Sequence, residues 1–366
     1  MLTGRELGAL VRRELALLMH IQPSDRHWSM PFAAALSSGA PLLVGAYFGH
    51  IGDGLVSSLG GMVFLYLPGT SLQHRMVWLM ACAFGLVACY TLGLTSHLVA
   101  PILLPVLVFI AVLVMMCLRI YSVGPPGGIF FIMSVAIGAY TPLTIERYPT
   151  LVGLNALGCL LACIIAFFYS VYTLRTRPPQ PVAPLVAPTF SFVVFDSVVI
   201  GAFVGISLGF AQILRMPRPY WVPVSCLAVI QGASLRAVWT KQLQRILGTV
   251  AGVGVAWLCL MPSMGPWSIA LLVMGLTFVV ETLVVRHYGT AAVFITPLTI
   301  LLADAANLGS TSPAALIQAR LLDTVLGALI GLLGGFCLHH PGIRQPMESA
   351  LRTLMPETLR RRFAED

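Results

Sequence analysis

The sequence predicts an all-α integral membrane protein with about 12 transmembrane helices arranged as two parallel six-helix repeats. Three observations predict it: too little charge to cover a water-soluble particle, apolar blocks of helical length, and basic residues confined to alternate loops. Of 366 residues, 58% are hydrophobic and 9% charged, and the mean hydropathy is +0.91. A soluble domain carries about 25% charged residues. A surface this poor in charge meets hydrocarbon, where backbone polar groups must be satisfied internally and only helices or a closed barrel remain. The blocks have the length of helical spans, about 20 residues, and lack the alternation of barrel strands.

In chain order, residues 1–30 form an N-terminal segment in which Leu7, Leu10, Val11, Glu14 and Leu18 suggest an amphipathic helix at the cytoplasmic interface. Arg12-Arg13 resembles a twin-arginine signal, but the apolar run after it is too short and no small-residue cleavage site follows. The first membrane half, 31–174, has spans near 31–50, 54–70, 76–95, 98–118, 126–143 and 151–174. A proline-rich cytoplasmic linker, 175–192, follows. The second half, 193–340, has spans near 193–214, 219–235, 246–262, 266–285, 289–304 and 320–338, and a basic cytoplasmic tail covers 341–366. The spans near 54–70 and 289–304 are short for a crossing, which means either slipped boundaries or broken helices.

With both termini cytoplasmic, 17 of the 21 basic residues fall on the cytoplasmic side, and Arg147, Arg215, Arg218 and Arg320 fall on the other. That asymmetry fixes span count and orientation together. The net charge of +8 therefore reports topology. No basic patch interleaved with aromatics is present, so nucleic acid is not an expected partner. The repeat shows in matched positions: Gly45-x-x-x-Gly49 with Gly205-x-x-x-Gly209, Gly69-Thr70-Ser71-Leu72 with Gly232-Ala233-Ser234-Leu235, Arg119-x-Tyr121 with Arg286-x-Tyr288, and Gly158 with Gly327. Thr141-Pro142-Leu143-Thr144 and Thr296-Pro297-Leu298-Thr299 are identical but lie at different depths, so they carry no weight as repeat evidence.

All eight cysteines sit in apolar blocks and read as small buried hydrophobes, with no zinc or disulfide pattern. No phosphate loop, His-Glu-x-x-His or Gly-x-Ser-x-Gly motif is present, so no enzyme, metal or cofactor is expected. Ionisable residues at membrane depth each need a partner or a water-filled cavity. Glu281 is either a proton carrier beside an anion-attracting Arg286 or a carboxylate paired with a neighbouring arginine. Arg320 and Asp323, three residues apart, can pair within their helix, and Asp196 reads as an N-terminal helix acid. Arg236, Lys241 and Arg245 crowd a cytoplasmic loop and would concentrate anions there. Tyr220 and Trp221 read as an aromatic belt. Pro41, Pro223 and Pro297 interrupt spans; Thr296 and Thr299 either satisfy the freed backbone groups or offer hydroxyls to a substrate.

Arg218-Pro-Tyr-Trp221, Gln231-Gly232, Gln244-Arg245-Ile-Leu-Gly248-Thr249-x-x-Gly252, Glu281-x-x-x-x-Arg286-x-Tyr288, Phe294-Ile-Thr-Pro297 and Arg320-x-x-Asp323-Thr324-x-x-Gly327 occur in that order. The second half thereby resembles the membrane half of the fusaric acid resistance protein-like (FUSC) family of the aromatic acid exporter superfamily. The first half resembles it faintly, since Met76, Val77 and Trp78 follow Arg75. The resemblance implies a proton-driven exporter of small organic or aromatic acids in a cell's inner membrane. On that reading Arg245, Arg286, Thr249, Thr296 and Pro297 contact the substrate and Glu281 couples protons. The alternatives are a passive organic-anion channel on the same scaffold and a non-transporting membrane scaffold. The implied partners are the bilayer, an organic-acid substrate, a periplasmic adaptor and a second copy of the chain.

Overall fold

The computed structural model describes residues 19–24, 26–99, 102–182, 184–185, 189–261, 264–304 and 312–354. The expected amphipathic helix within residues 1–30 lies outside the described residues. The described chain is helical throughout its ordered elements, and eight helices are long and apolar enough to cross a membrane. In chain order the helices are α1 (Ser29–Tyr47), α2 (Ile51–Tyr66), α3 (Leu72–Leu98), α4 (Leu103–Ile120), α5 (Ile129–Tyr140) and α6 (Tyr148–Leu174). The second half follows as α7 (Phe190–Ile213), α8 (Trp221–Ile230), α9 (Leu235–Leu260), α10 (Pro266–Leu283), α11 (Tyr288–Asp304) and α12 (Pro313–His339). A further helix, α13 (Pro341–Leu354), closes the described chain.

The repeat is written in helix length. The second and fifth helix of each half, α2, α5, α8 and α11, are the short ones. At 1.5 Å per residue the 10 residues of α8 reach about 15 Å, half of a hydrocarbon core. Such a helix leaves backbone ends at membrane depth, which is tolerable only inside protein. All 10 residues of α8 are buried, whereas the long helices turn broad apolar faces outward, as with Phe84 of α3 and Leu258 of α9. The short helices and the first helix of each half, α1 and α7, therefore form much of the interior, and the third and fourth helices of each half, α3, α4, α9 and α10, the lipid-facing wall.

Packing repeats as well. Within each half the third helix packs on the fifth and the sixth on the second, and the halves meet along two seams, α4 against α7 and α10 against α1. The match of Gly158 with Gly327 holds in space. A Cβ on Gly158 would run into the Ser57 carbonyl oxygen of α2, and one on Gly327 into the Val222 carbonyl oxygen of α8. Close backbone approach of this kind is what holds helices together in lipid, where apolar burial gives no driving force between them.

Two boundaries and one residue role differ from expectation. α9 begins at Leu235, capped by the Ser234 hydroxyl, which accepts from the Ala237 N–H at 3.2 Å. Arg236, Lys241 and Arg245 therefore lie on a helix and not in a loop. Residues 341–354 are helical, with Ile343, Arg344, Glu348, Leu351 and Arg352 partly covered against the bundle. The apolar spacing of Ile343, Met347 and Leu351 was obscured by the surrounding charge. Asp196 is more than a helix-terminal acid. It joins the halves, 2.8 Å from Arg119 of α4 and 2.9 Å from Arg344 of α13.

Candidate anion site

Arg245 lies ten residues into α9, about 15 Å from its start and close to the middle of a helix about 39 Å long. α12 runs in the opposite direction, and its Arg320 and Asp323 lie seven and ten residues from its start. The two helices therefore meet near mid-depth, with α8 and α11 packed beside them.

Arg245 is buried and donates through Nη1 to the Tyr288 hydroxyl at 2.7 Å and through Nη2 to the Ser225 hydroxyl at 2.9 Å, tying α9 to α11 and α8. The Lys241 ammonium, one turn earlier, stands 5.4 Å from the centre of the Tyr288 ring. Arg320, 4% exposed, stacks its guanidinium 4.3 Å from the centre of the Trp221 ring. Arg245, Tyr288 and Asp323 are all near enough to act on Arg320 electrostatically. Three cations and one carboxylate thus converge on Tyr288 and Trp221.

The donors are only partly used. Nε of Arg245, Nε and Nη1 of Arg320 and both carboxylate oxygens of Asp323 are buried without a hydrogen-bond partner. The ion pair expected within α12 is therefore not formed. Arg320 turns to Trp221, and Asp323 shares its surroundings with Arg218. Buried charges without partners are costly and mark sites where a ligand completes the set. An excess of positive charge with free guanidinium donors suits a carboxylate or another oxyanion, which can take two parallel N–H bonds.

The other expected site residues divide. Thr249 is buried one turn beyond Arg245 on α9. Thr296 donates to the Ala292 carbonyl at 3.0 Å and, with the Val293 carbonyl, faces Gly252 of α9, so its hydroxyl serves helix packing. Pro297 is buried in the next position of α11. Thr299 donates to the Thr296 carbonyl at 3.0 Å. Glu281 is paired not with Arg286 but with Arg26, whose Nη1 lies 3.1 Å from both its carboxylate and its carbonyl oxygen. Arg286 is exposed and lines, with Arg26, a cleft of about 80 Å³ at that end of the bundle. Neither Glu281 nor Arg286 touches the cluster around Tyr288.

Tyr220 and Trp221 form no belt. Both are buried, and Trp221 is the floor for Arg320. Ser225 and Tyr288, the anchors of Arg245, carried no charge or spacing that would single them out, although Tyr288 stands in a repeated motif. In the first half the repeat register puts Cys82 opposite Arg245 and Leu151 opposite Arg320, both buried. The fold is duplicated but the charge is not.

Residues 204–334 match the fusaric acid resistance protein-like family. The chain is also 33% identical over 129 residues to an uncharacterised membrane protein, YvaC, of Bacillus subtilis (strain 168). That match covers 35% of this chain and 20% of the relative's length. No solved structure matches the fold. The protein is a multi-pass, all-helical membrane protein, and the half that holds the cationic cluster is the half that matches the fusaric acid resistance protein-like family.

Proposed function

We propose that the chain exports small organic acids, aromatic acids among them, and that Arg245, Arg320 and Lys241 hold the acid's carboxylate near mid-depth. The observation that carries this reading is the set of buried guanidinium donors left without partners beside Tyr288 and Trp221. The two aromatic rings next to those donors offer an apolar wall for the body of the acid. The family match supports a transport role.

Proton coupling is assigned to Asp323. It adjoins Arg320, and its two oxygens are unpartnered, so an anion that occupies Arg320 leaves Asp323 without its nearest counter-charge. Uptake of a proton there offsets the charge of the bound anion, so acid and proton cross together and export runs down the acid's own concentration gradient; release of both restores the empty arrangement, with Arg320 against Trp221. Glu281 is the second candidate for the proton, at the Arg26 pair.

The test is benzoate transport by the purified chain in proteoliposomes under an imposed pH gradient. A charge-assisted hydrogen bond contributes about 1.5–3 kcal/mol, so Arg245→Gln and Arg320→Gln each lower apparent affinity about 10- to 100-fold. Asp323→Asn retains downhill benzoate exchange and loses gradient-driven accumulation. Wild-type transport in both arginine variants refutes the site. Loss of accumulation in Glu281→Gln, with Asp323→Asn unaffected, moves the proton to the Arg26 pair.

A further inference from the structure

We propose that the first half carries a second anion site, at the end of the bundle where the linker lies, built around Arg75 and taking a phosphate monoester. Arg75, on the first turn of α3, is 7% exposed, and its hydrogen bonds go to neutral oxygens: Nε to the Thr70 carbonyl at 2.7 Å and Nη1 to the Thr173 hydroxyl at 3.1 Å. No carboxylate pairs with it among the described residues. A buried guanidinium held only by neutral acceptors keeps its full charge to offer.

The space it faces is a cavity of about 410 Å³. Arg177, Ser29, Thr176, Tyr169 and Tyr172 share its wall, and among the described residues no aspartate or glutamate lines it. Two guanidiniums and several hydroxyls present more donors than the two oxygens of a carboxylate can accept. The three terminal oxygens and near-double charge of a phosphate monoester match them. The volume beyond the arginines and the two tyrosine rings leaves room for the ester's organic body.

The second half shows what fills the equivalent place. There the Gly232 carbonyl accepts from His339 at 2.9 Å, as the Gly69 carbonyl accepts from the Gln180 N–H at 2.9 Å. Beside it α13 brings Arg344 against Asp196 and Glu348, so that guanidinium already has carboxylates. In the first half the linker lies there instead, and among the described residues no acid reaches Arg75, which leaves its charge available to an anion. Because Gln180 and Pro178 also line the cavity, an occupant bridges the linker to the first half, which makes the site regulatory in position.

A lipid headgroup and a soluble ester share this chemistry, and the experiment separates them. The full chain carrying Arg245→Gln and Arg320→Gln together, which weakens the mid-depth site, is purified in detergent and titrated calorimetrically with phenyl phosphate. Saturable binding is expected, weakened at least tenfold by adding Arg75→Gln and also by Arg177→Gln, the latter at an exposed position that the fold tolerates. In a parallel arm the same proteins are placed in phosphatidylcholine nanodiscs with and without phosphatidic acid. Thermal stabilisation by phosphatidic acid that requires Arg75 and Arg177 assigns the site to the lipid, and binding of phenyl phosphate alone assigns it to a soluble ester. The proposal is overturned if neither probe binds, if binding survives both arginine changes, or if benzoate binds as tightly as phenyl phosphate.

Discussion

Gly327→Ala tests the link between helix packing and the anion site. A Cβ at this position of α12 would press on the Val222 carbonyl oxygen and stand 2.6 Å from the Ser225 Cβ. Carbon atoms at rest lie about 3.6 Å apart, so α8 must retreat by about 1 Å. The carbonyl belongs to the backbone of α8 and cannot rotate aside. Overpacking of this kind costs about 1–3 kcal/mol. The functional cost is separate: Ser225 stands at the overpacked contact and its hydroxyl is 2.9 Å from Arg245, so a shift of α8 stretches that hydrogen bond. The freed guanidinium loses its fixed direction, and a charge-assisted bond of about 1.5–3 kcal/mol goes with it. Benzoate affinity of the reconstituted variant falls about tenfold or more, and its thermal midpoint in detergent falls as well. Gly254→Ala is the control, since nothing lies within 4 Å of its Cβ and alanine is the better helix former by about 1 kcal/mol. If Gly327→Ala matches Gly254→Ala in both assays, the close α8–α12 contact does not position Arg245.

Trp221→Leu removes the ring against which Arg320 stacks at 4.3 Å, a contact worth about 2 kcal/mol when desolvated. Anion affinity should drop about tenfold, while Trp221→Phe retains most of it in the same transport assay. Asp196→Asn leaves Arg119 and Arg344 facing each other across the α4–α7 seam without their shared carboxylate. A broken buried pair of this kind costs about 3 kcal/mol, read as a lowered thermal midpoint in detergent. Arg147→Ala removes a pair to Asp53 whose side chains are 56% and 32% exposed; it changes stability by less than about 1 kcal/mol, and an unchanged unfolding curve is the expected record.

Much of the scaffold was readable because the bilayer imposes strong rules. Charge depletion, block length and the loop bias of arginines gave the helix number and the two parallel halves, and the short second and fifth helices already stood out at 54–70 and 289–304. The site was less readable because those rules count cations without fixing their depth. Lys241 and Arg245 follow Arg236 by five and nine residues, and all three look like loop charges until the Ser234 cap moves the helix start to Leu235. The same limit applies to pairs between distant segments. Nothing in the spacing of Glu281 and Arg286 indicates that Arg26, 255 residues away, takes the carboxylate. Trp221 and Tyr220 looked like belt residues because a short helix can begin inside the bundle, where an aromatic pair meets Arg320 instead of lipid headgroups.

The two inter-half seams are fastened alike, Arg119 to Asp196 on one and Arg26 to Glu281 on the other. By the alternation of helix direction both fasteners sit on the same side of the bundle as the linker. The acid lies on the second half each time, and the guanidinium on the first half or on the segment that leads into it. The halves are thus clasped at one rim, while the opposite rim has no such clasp among the described residues. Parting at the linker side must rupture two ionic contacts at once, and raising the salt concentration on that side alone should ease it.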